Sequence, residues 1–307
     1  MDTDTNESHF YGTEEERQLL QARVDRFDVS AWAKQHKTWG FGSPRRQPSR
    51  CAESAKLHNP YAGVGYAWQL TETLDQFLTR LPPATTDQSD ETPWIFVCNP
   101  YVSREGKHEE SGAFIKGNED EAPAEKDSQL RFVVQGAMER LDLLADLKRK
   151  VESSGKSTAF VNRELLQEKK QAVSDVLALA HAGKVRSGKW MLFCPPSEVN
   201  EVWRVVAKAT AQNELGIAAK VAPRPQFDDN RKDRLICVYT TDFQDKSDVG
   251  RVLQQLKTLK LAESNQRSIY YKPDIFTYIG LAHGNPWGLA ASIYNSQVFT
   301  RQNSNGN

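Results

Sequence analysis

The tightest constraint on the fold is the run Arg234-Leu235-Ile236-Cys237-Val238-Tyr239-Thr240-Thr241, apolar at nearly every position along its centre. A strand with two apolar faces must be covered on both, so the run predicts a central strand. Upstream, Ser187-Gly188-Lys189-Trp190-Met191-Leu192-Phe193-Cys194 leads from a glycine turn into large apolar residues. This predicts a second strand over 190–194, ended by Pro195 and Pro196. Ser197 is placed to cap a helix whose apolar residues Val199, Val202, Trp203, Val206 and Ala209 recur at helical spacing. Residues 217–221 read as extended. Asp245 and Asp248 bracket a further helix start, with Val249, Val252, Leu253, Leu256 and Leu259 on one stripe. Residues 187–261 thus read strand, helix, strand, strand, helix.

The remaining elements follow from the same periods. Thr13 with Glu16 forms a capping box ahead of a stripe at Leu20, Val24 and Phe27, and residues 39–51 read as loop. Leu70, Leu74, Phe77, Leu78 and Leu81 mark a helix stopped by Pro82-Pro83, and Trp94–Cys98 a short strand. Residues 103–127 carry almost no large apolar side chains and are expected to be a disordered insertion. Leu130 to Val151 predicts a long helix, Ala159-Phe160-Val161 a brief strand, and Leu166 to Ala180 another helix closed by Gly183. Ile269 to Leu281 reads as an aromatic strand region interrupted at Pro273. The expected fold class is α+β, an antiparallel sheet with helices on one face. Residues 1–58 are read as an N-terminal helical arm and loop, 59–299 as a single domain, and 300–307 as a mobile tail.

Composition excludes several function classes. Lys plus Arg equals Asp plus Glu at 40 each, so no global field draws the chain to nucleic acid or membrane. The N-terminus lacks the apolar core of a signal peptide and no run approaches a membrane span. Cys51, Cys98, Cys194 and Cys237 are scattered, three of them in apolar runs, as buried thiols in a reducing compartment would be. The expected location is the cytoplasm, with the nucleus as a second compartment.

No catalytic or metal signature stands out. Gly155-Lys156-Ser157 lacks the glycine of a phosphate-binding loop, having Lys150 in its place, and Gly63-Val64-Gly65 has Trp68 where a dinucleotide fingerprint needs its third glycine. The six histidines are not spaced as metal ligands. Neither metal nor cofactor is expected. Two aromatic-plus-glycine loops remain, Trp39-Gly40-Phe41-Gly42 and Asn285-Pro286-Trp287-Gly288. Their tryptophans either anchor a ligand or partner, or plug the edge of the core.

Gly188-Lys189-Trp190, Val202-Trp203, Leu235 to Thr241 and Asp248-Val249-Gly250-Arg251-Val252, in that order, resemble the second half of eukaryotic translation initiation factor 4E, the cap-binding protein. Over its whole length the chain is similar to the basophilic leukaemia-expressed protein family. Asn59-Pro60-Tyr61, Tyr66-Ala67-Trp68-Gln69-Leu70 and Gly284-Asn285-Pro286-Trp287-Gly288 carry that likeness. The cap-binding resemblance implies a phosphate-binding edge made by Lys189, Lys220, Arg224, Arg231, Lys232 and Arg234. It also implies two cap-holding tryptophans, but residues 174–189 contain none, and near the first strand only Tyr101 is aromatic. Tight binding of methylated cap is therefore not expected, and Trp94, Trp190 and Trp203 are assigned to the core. The functional expectation is a non-enzymatic binding protein contacting RNA or a nucleotide through its basic loop. The alternatives are a protein–protein adaptor that has lost ligand binding, or a small-molecule enzyme using the sheet face.

Overall fold

The computed structural model describes residues 18, 57–105, 121–153, 157–225, 233–262, 268–297 and 299. The body considered below is the unit Ala55–Asn307. The helical arm and loop expected before residue 57, the 300–307 tail, Cys51 and the centre of the 103–127 insertion lie outside the described residues. In chain order the elements are α1 (Leu74–Arg80), β1 (Ile95–Cys98), α2 (Leu130–Glu152), α3 (Thr158–Ala182), β2 (Gly188–Cys194) and α4 (Val199–Ala211). They continue with β3 (Ala218–Val221), β4 (Arg234–Thr240), α5 (Lys246–Thr258), β5 (Tyr270–Pro273), α6 (Asp274–Tyr278) and β6 (Tyr294–Asn295).

The six strands form one antiparallel sheet in the order β1-β3-β4-β2-β5-β6. The central position of β4 follows from its two apolar faces. Successive side chains point to opposite faces, and the register pairs Lys189 with Tyr239 and Trp190 with Val238. Trp190, Leu192, Ile236, Val238, Ala219, Val221, Ile95 and Val97 therefore share one face, and the helices pack on it. Val133 and Leu141 of α2, Val176 of α3, Trp203 and Val206 of α4, and Val249 and Leu256 of α5 complete that layer. Each fully buried large apolar side chain there contributes about 1.5–3 kcal/mol. The Trp190 indole also donates to the Val249 carbonyl at 3.0 Å, tying β2 to α5.

The α2–α3 pair is a helical hairpin. Arg140 of α2 reaches Glu168 at 2.6 Å and Asp175 at 2.8 Å on α3. Gly136 lets the helices approach, since a Cβ there would sit 2.9 Å from Leu179 Cδ2. The outer edge of β1 is closed by an upstream loop: Trp68 donates to the Phe96 carbonyl at 3.0 Å and Phe96 to the Tyr66 carbonyl at 3.1 Å. Edge strands need such cover.

Four local expectations are corrected. Residues 159–161 open α3 instead of forming a strand, because Ser157 accepts from the Phe160 amide and starts the helix earlier. The run after Pro273 is the short helix α6, which buries Ile275 and Phe276 within the helix-side core. Ser197 does not cap α4: Glu198 holds the cap position without a side-chain bond. At the ends of the expected insertion residues 103–105 and 121–127 are described, and there Glu121 and Ala122 are buried instead of disordered.

Candidate functional site

The second face of the sheet is covered by loops. Tyr61, Ala67 and Ala122 pack over Phe96, Cys98, Ala218, Cys237 and Tyr239. Lys220 of β3, Tyr239 of β4 and Lys189 of β2 project to this side by strand parity. All three converge on the carboxylate of Glu121. Lys189 Nζ contacts Glu121 Oε2, Lys220 Nζ lies 3.4 Å from Oε1, and the Tyr239 hydroxyl donates to Oε2 at 3.0 Å. Lys189 Nζ also donates to Asp274 Oδ1 at 2.8 Å and to Thr277 Oγ1 at 2.9 Å, both from α6. Ser187 Oγ donates to the other Asp274 oxygen at 2.6 Å. Beneath Lys220 the Trp94 ring centroid is 3.9 Å from Nζ, a cation–π contact.

None of Glu121, Lys189, Lys220 and Asp274 is more than 3% exposed. Burial opposes charge on Glu121, Lys189 and Asp274, and the balance against their partners falls differently for each. Lys189 is driven up, because Asp274 and Glu121 outweigh its desolvation. Glu121 is held below the usual carboxylate range because the two lysines overcome its burial. Asp274 is raised, its burial outweighing Lys189. Lys272 of β5, directly across from Lys189, is depressed to about 8 by burial first and then by Lys189. Among the described residues two lysines and two carboxylates thus neutralise one another, and the chain's own carboxylate fills the donor set that an oxyanion would need.

A second arrangement lies on the helix side. Trp287, Leu144 and Leu165 wall an open pocket of about 220 Å³, with Lys148, Arg149 and Lys169 among its lining. Asn285 pins the loop that carries Trp287, bonding the Ala282 and Leu289 carbonyls and accepting from the Leu289 amide. Gly288 turns there at φ 63°, and a Cβ on it would meet Lys169 Nζ at 2.9 Å. Neither Lys148 nor Lys169 makes an ion pair among the described residues.

Among the described residues, the expected phosphate-binding side chains Lys189, Lys220, Arg224 and Arg234 do not share one surface. Lys189 and Lys220 meet, but inside the cluster. Arg224 is at the surface, 2.7 Å from Asp87. Arg234 is buried on the helix-side face, opposite Cys194 and at the far end of the strand from Lys189's partner Tyr239. Arg231, Lys232 and Trp39 lie outside the described residues. Tyr101 is 56% exposed in the turn after β1, and Trp287 packs half-buried against the core. Trp190 and Trp203 are core residues, as expected. Cys98 and Cys194 are pushed up to about 12 and Cys237 to about 11, chiefly by burial, so none is a ready nucleophile. Among the described residues no group of three or more His, Cys, Asp or Glu is placed to hold a metal, and no helix is long and apolar enough to cross a membrane.

Sequence reasoning missed Glu121, Asp274 and Tyr239. One signal was present: a lysine in register with buried apolar neighbours, as Lys189 and Lys220 are, requires a buried carboxylate somewhere. The cluster residues all lie within the stretch that matches a known family. The family model described as Basophilic leukemia-expressed protein Bles03 matches residues 20–280, most of the chain, and the protein belongs to that family.

Proposed function

We propose that this protein is a non-enzymatic binding protein of the adaptor kind, presenting surfaces to other proteins from a rigid sheet-and-helix frame. One observation carries the reading. The lysines that a phosphate-binding edge would use, Lys189 and Lys220, are sealed and neutralised by Glu121 and Asp274. The element order β2, α4, β3, β4, α5 supports the likeness to the cap-binding fold, and the sealed cluster argues that the ligand chemistry of that fold is not used. The test is direct. A labelled single-stranded RNA and a guanosine triphosphate are titrated at low salt, where phosphate contacts are strongest. The adaptor reading expects binding of neither. RNA binding that weakens when Arg224 and Lys232 are both replaced by alanine would overturn it in favour of a phosphate-binding loop.

A further inference from the structure

We propose that the pocket walled by Trp287, Leu144 and Leu165 and bordered by Lys148, Arg149 and Lys169 docks an acidic peptide segment that inserts one large apolar side chain. The proposal rests on the adaptor reading above and names the partner's chemistry.

Volume argues first. Sites for whole small molecules run to roughly 300–1,000 Å³, whereas this pocket offers about 220 Å³. That is room for a single side chain, the scale of an interface anchor. Its chemistry agrees. Leu144 and Leu165 are buried and give an apolar floor, while half-buried Trp287 adds an aromatic wall. Anchors that fill such pockets dominate protein–protein binding.

Charge sets the partner's sign. Three cations line the pocket against one carboxylate, Glu152. Arg149 is engaged by Asp146, but Lys148 and Lys169 have no acidic partner among the described residues. Aspartates or glutamates flanking the anchor would complete both. Arg140, further along the same hairpin, is by contrast matched by both Glu168 and Asp175.

The wall is also preorganised. The Asn285 bonds and the turn at Gly288 hold the Trp287 loop, and Lys169 lies against Gly288, where a side chain would displace it. A fixed pocket loses less ordering entropy on binding.

The experiment uses the full chain and immobilised pools of short peptides carrying a central Leu or Phe flanked by Asp and Glu. A matched pool has Lys and Arg flanks, and a third has the anchor replaced by Ala. Binding is expected to the acidic pool alone, with at least about a tenfold loss (about 1.4 kcal/mol) for the Ala-anchor pool. Trp287→Ala should lose binding too. Because that change could unseat the loop, Lys148→Glu and Lys169→Glu on the helix surfaces are read in parallel, each expected to weaken binding by about tenfold with an unchanged melting temperature. No binding to the acidic pool, binding unaffected by both charge reversals, or preferential occupation of the pocket by single-stranded RNA would each overturn the proposal. The first two failures leave the adaptor reading standing; RNA binding removes both.

Discussion

Replacing Glu121 by glutamine keeps the side-chain shape and deletes one charge from the cluster. Lys189 retains Asp274 at 2.8 Å, but Lys220 loses the carboxylate 3.4 Å away. Among the described members of the cluster positive charge is then in excess, and none of them is more than 3% exposed. Removing one partner of a buried ion pair costs about 3–5 kcal/mol. Glutamine still offers a carbonyl to one lysine, so the loss should fall at the low end, about 3 kcal/mol. For a body of this size that is a fall in melting temperature of about 6–12 °C. Urea unfolding should show a lower midpoint at an unchanged slope. The effect should depend on pH with a defined sign. Glu121 sits below its ordinary value of 4.5, so its stabilisation is complete above that value and is lost as pH falls through the lower folded one. The gap between wild type and Glu121→Gln should therefore hold from neutrality down to that value and narrow below it. Asp274, raised from 3.8 chiefly by burial and in part by Glu121, titrates in the opposite sense, and the substitution relieves the part due to Glu121. A loss under about 1 kcal/mol at neutral pH, the size of an exposed pair, would refute the reasoning, since it would mean that water reaches the cluster.

Two further outcomes follow from neighbouring groups. Lys272 is depressed from 10.5 to about 8, so the unfolded chain holds that proton more tightly and wild-type stability should rise with pH across that window. Lys272→Met should raise the melting temperature at pH 7, with a gain that shrinks towards the upper end of the window; a gain independent of pH would point to packing alone. Trp190 and Trp203 are both wholly buried, but only the Trp190 indole N–H has an acceptor among the described residues. Trp190→Phe loses the bond to the Val249 carbonyl, whereas Trp203→Phe loses none, so the former should cost about 0.5–1.5 kcal/mol more in urea unfolding; equal costs would sink this account.

The sheet was legible from the sequence because its signals are local. The doubly apolar 234–241 run, the Gly188-Lys189-Trp190 start and the Asp245 cap, which accepts from the Ser247 and Asp248 amides, all specify their elements within a few residues. The misread pieces are those that tertiary contacts decide. Residues 275–281 have strand-like composition, but the run opens with the short helix Asp274–Tyr278, which delivers Asp274 and Thr277 to Lys189. Glu121 sits in a charged stretch that reads as solvated, yet it is recruited by two lysines from β2 and β3. The site was harder still. Charge at Lys189 and Lys220 is visible in the sequence, but whether it faces water or a carboxylate depends on pairings many tens of residues apart. Trp287 stood out as an aromatic beside glycine, whereas Lys148 and Lys169 gave no sign of converging on it.

The pairing of β1 with β3 has a consequence for the chain as it is made. Ile95–Cys98 is apolar throughout, and its sheet neighbour Ala218–Val221 emerges roughly 120 residues later, a wait of roughly 6–24 s at the usual pace of synthesis. During that interval a hydrophobic segment with open hydrogen-bonding edges invites intermolecular pairing and chaperone capture. The loop through Tyr66 and Trp68 precedes β1 in the chain and bonds to Phe96 on its free side. Because it leaves the ribosome first, it can shield one edge of the nascent segment while the other waits, and only the later arrival of β3 completes the sheet.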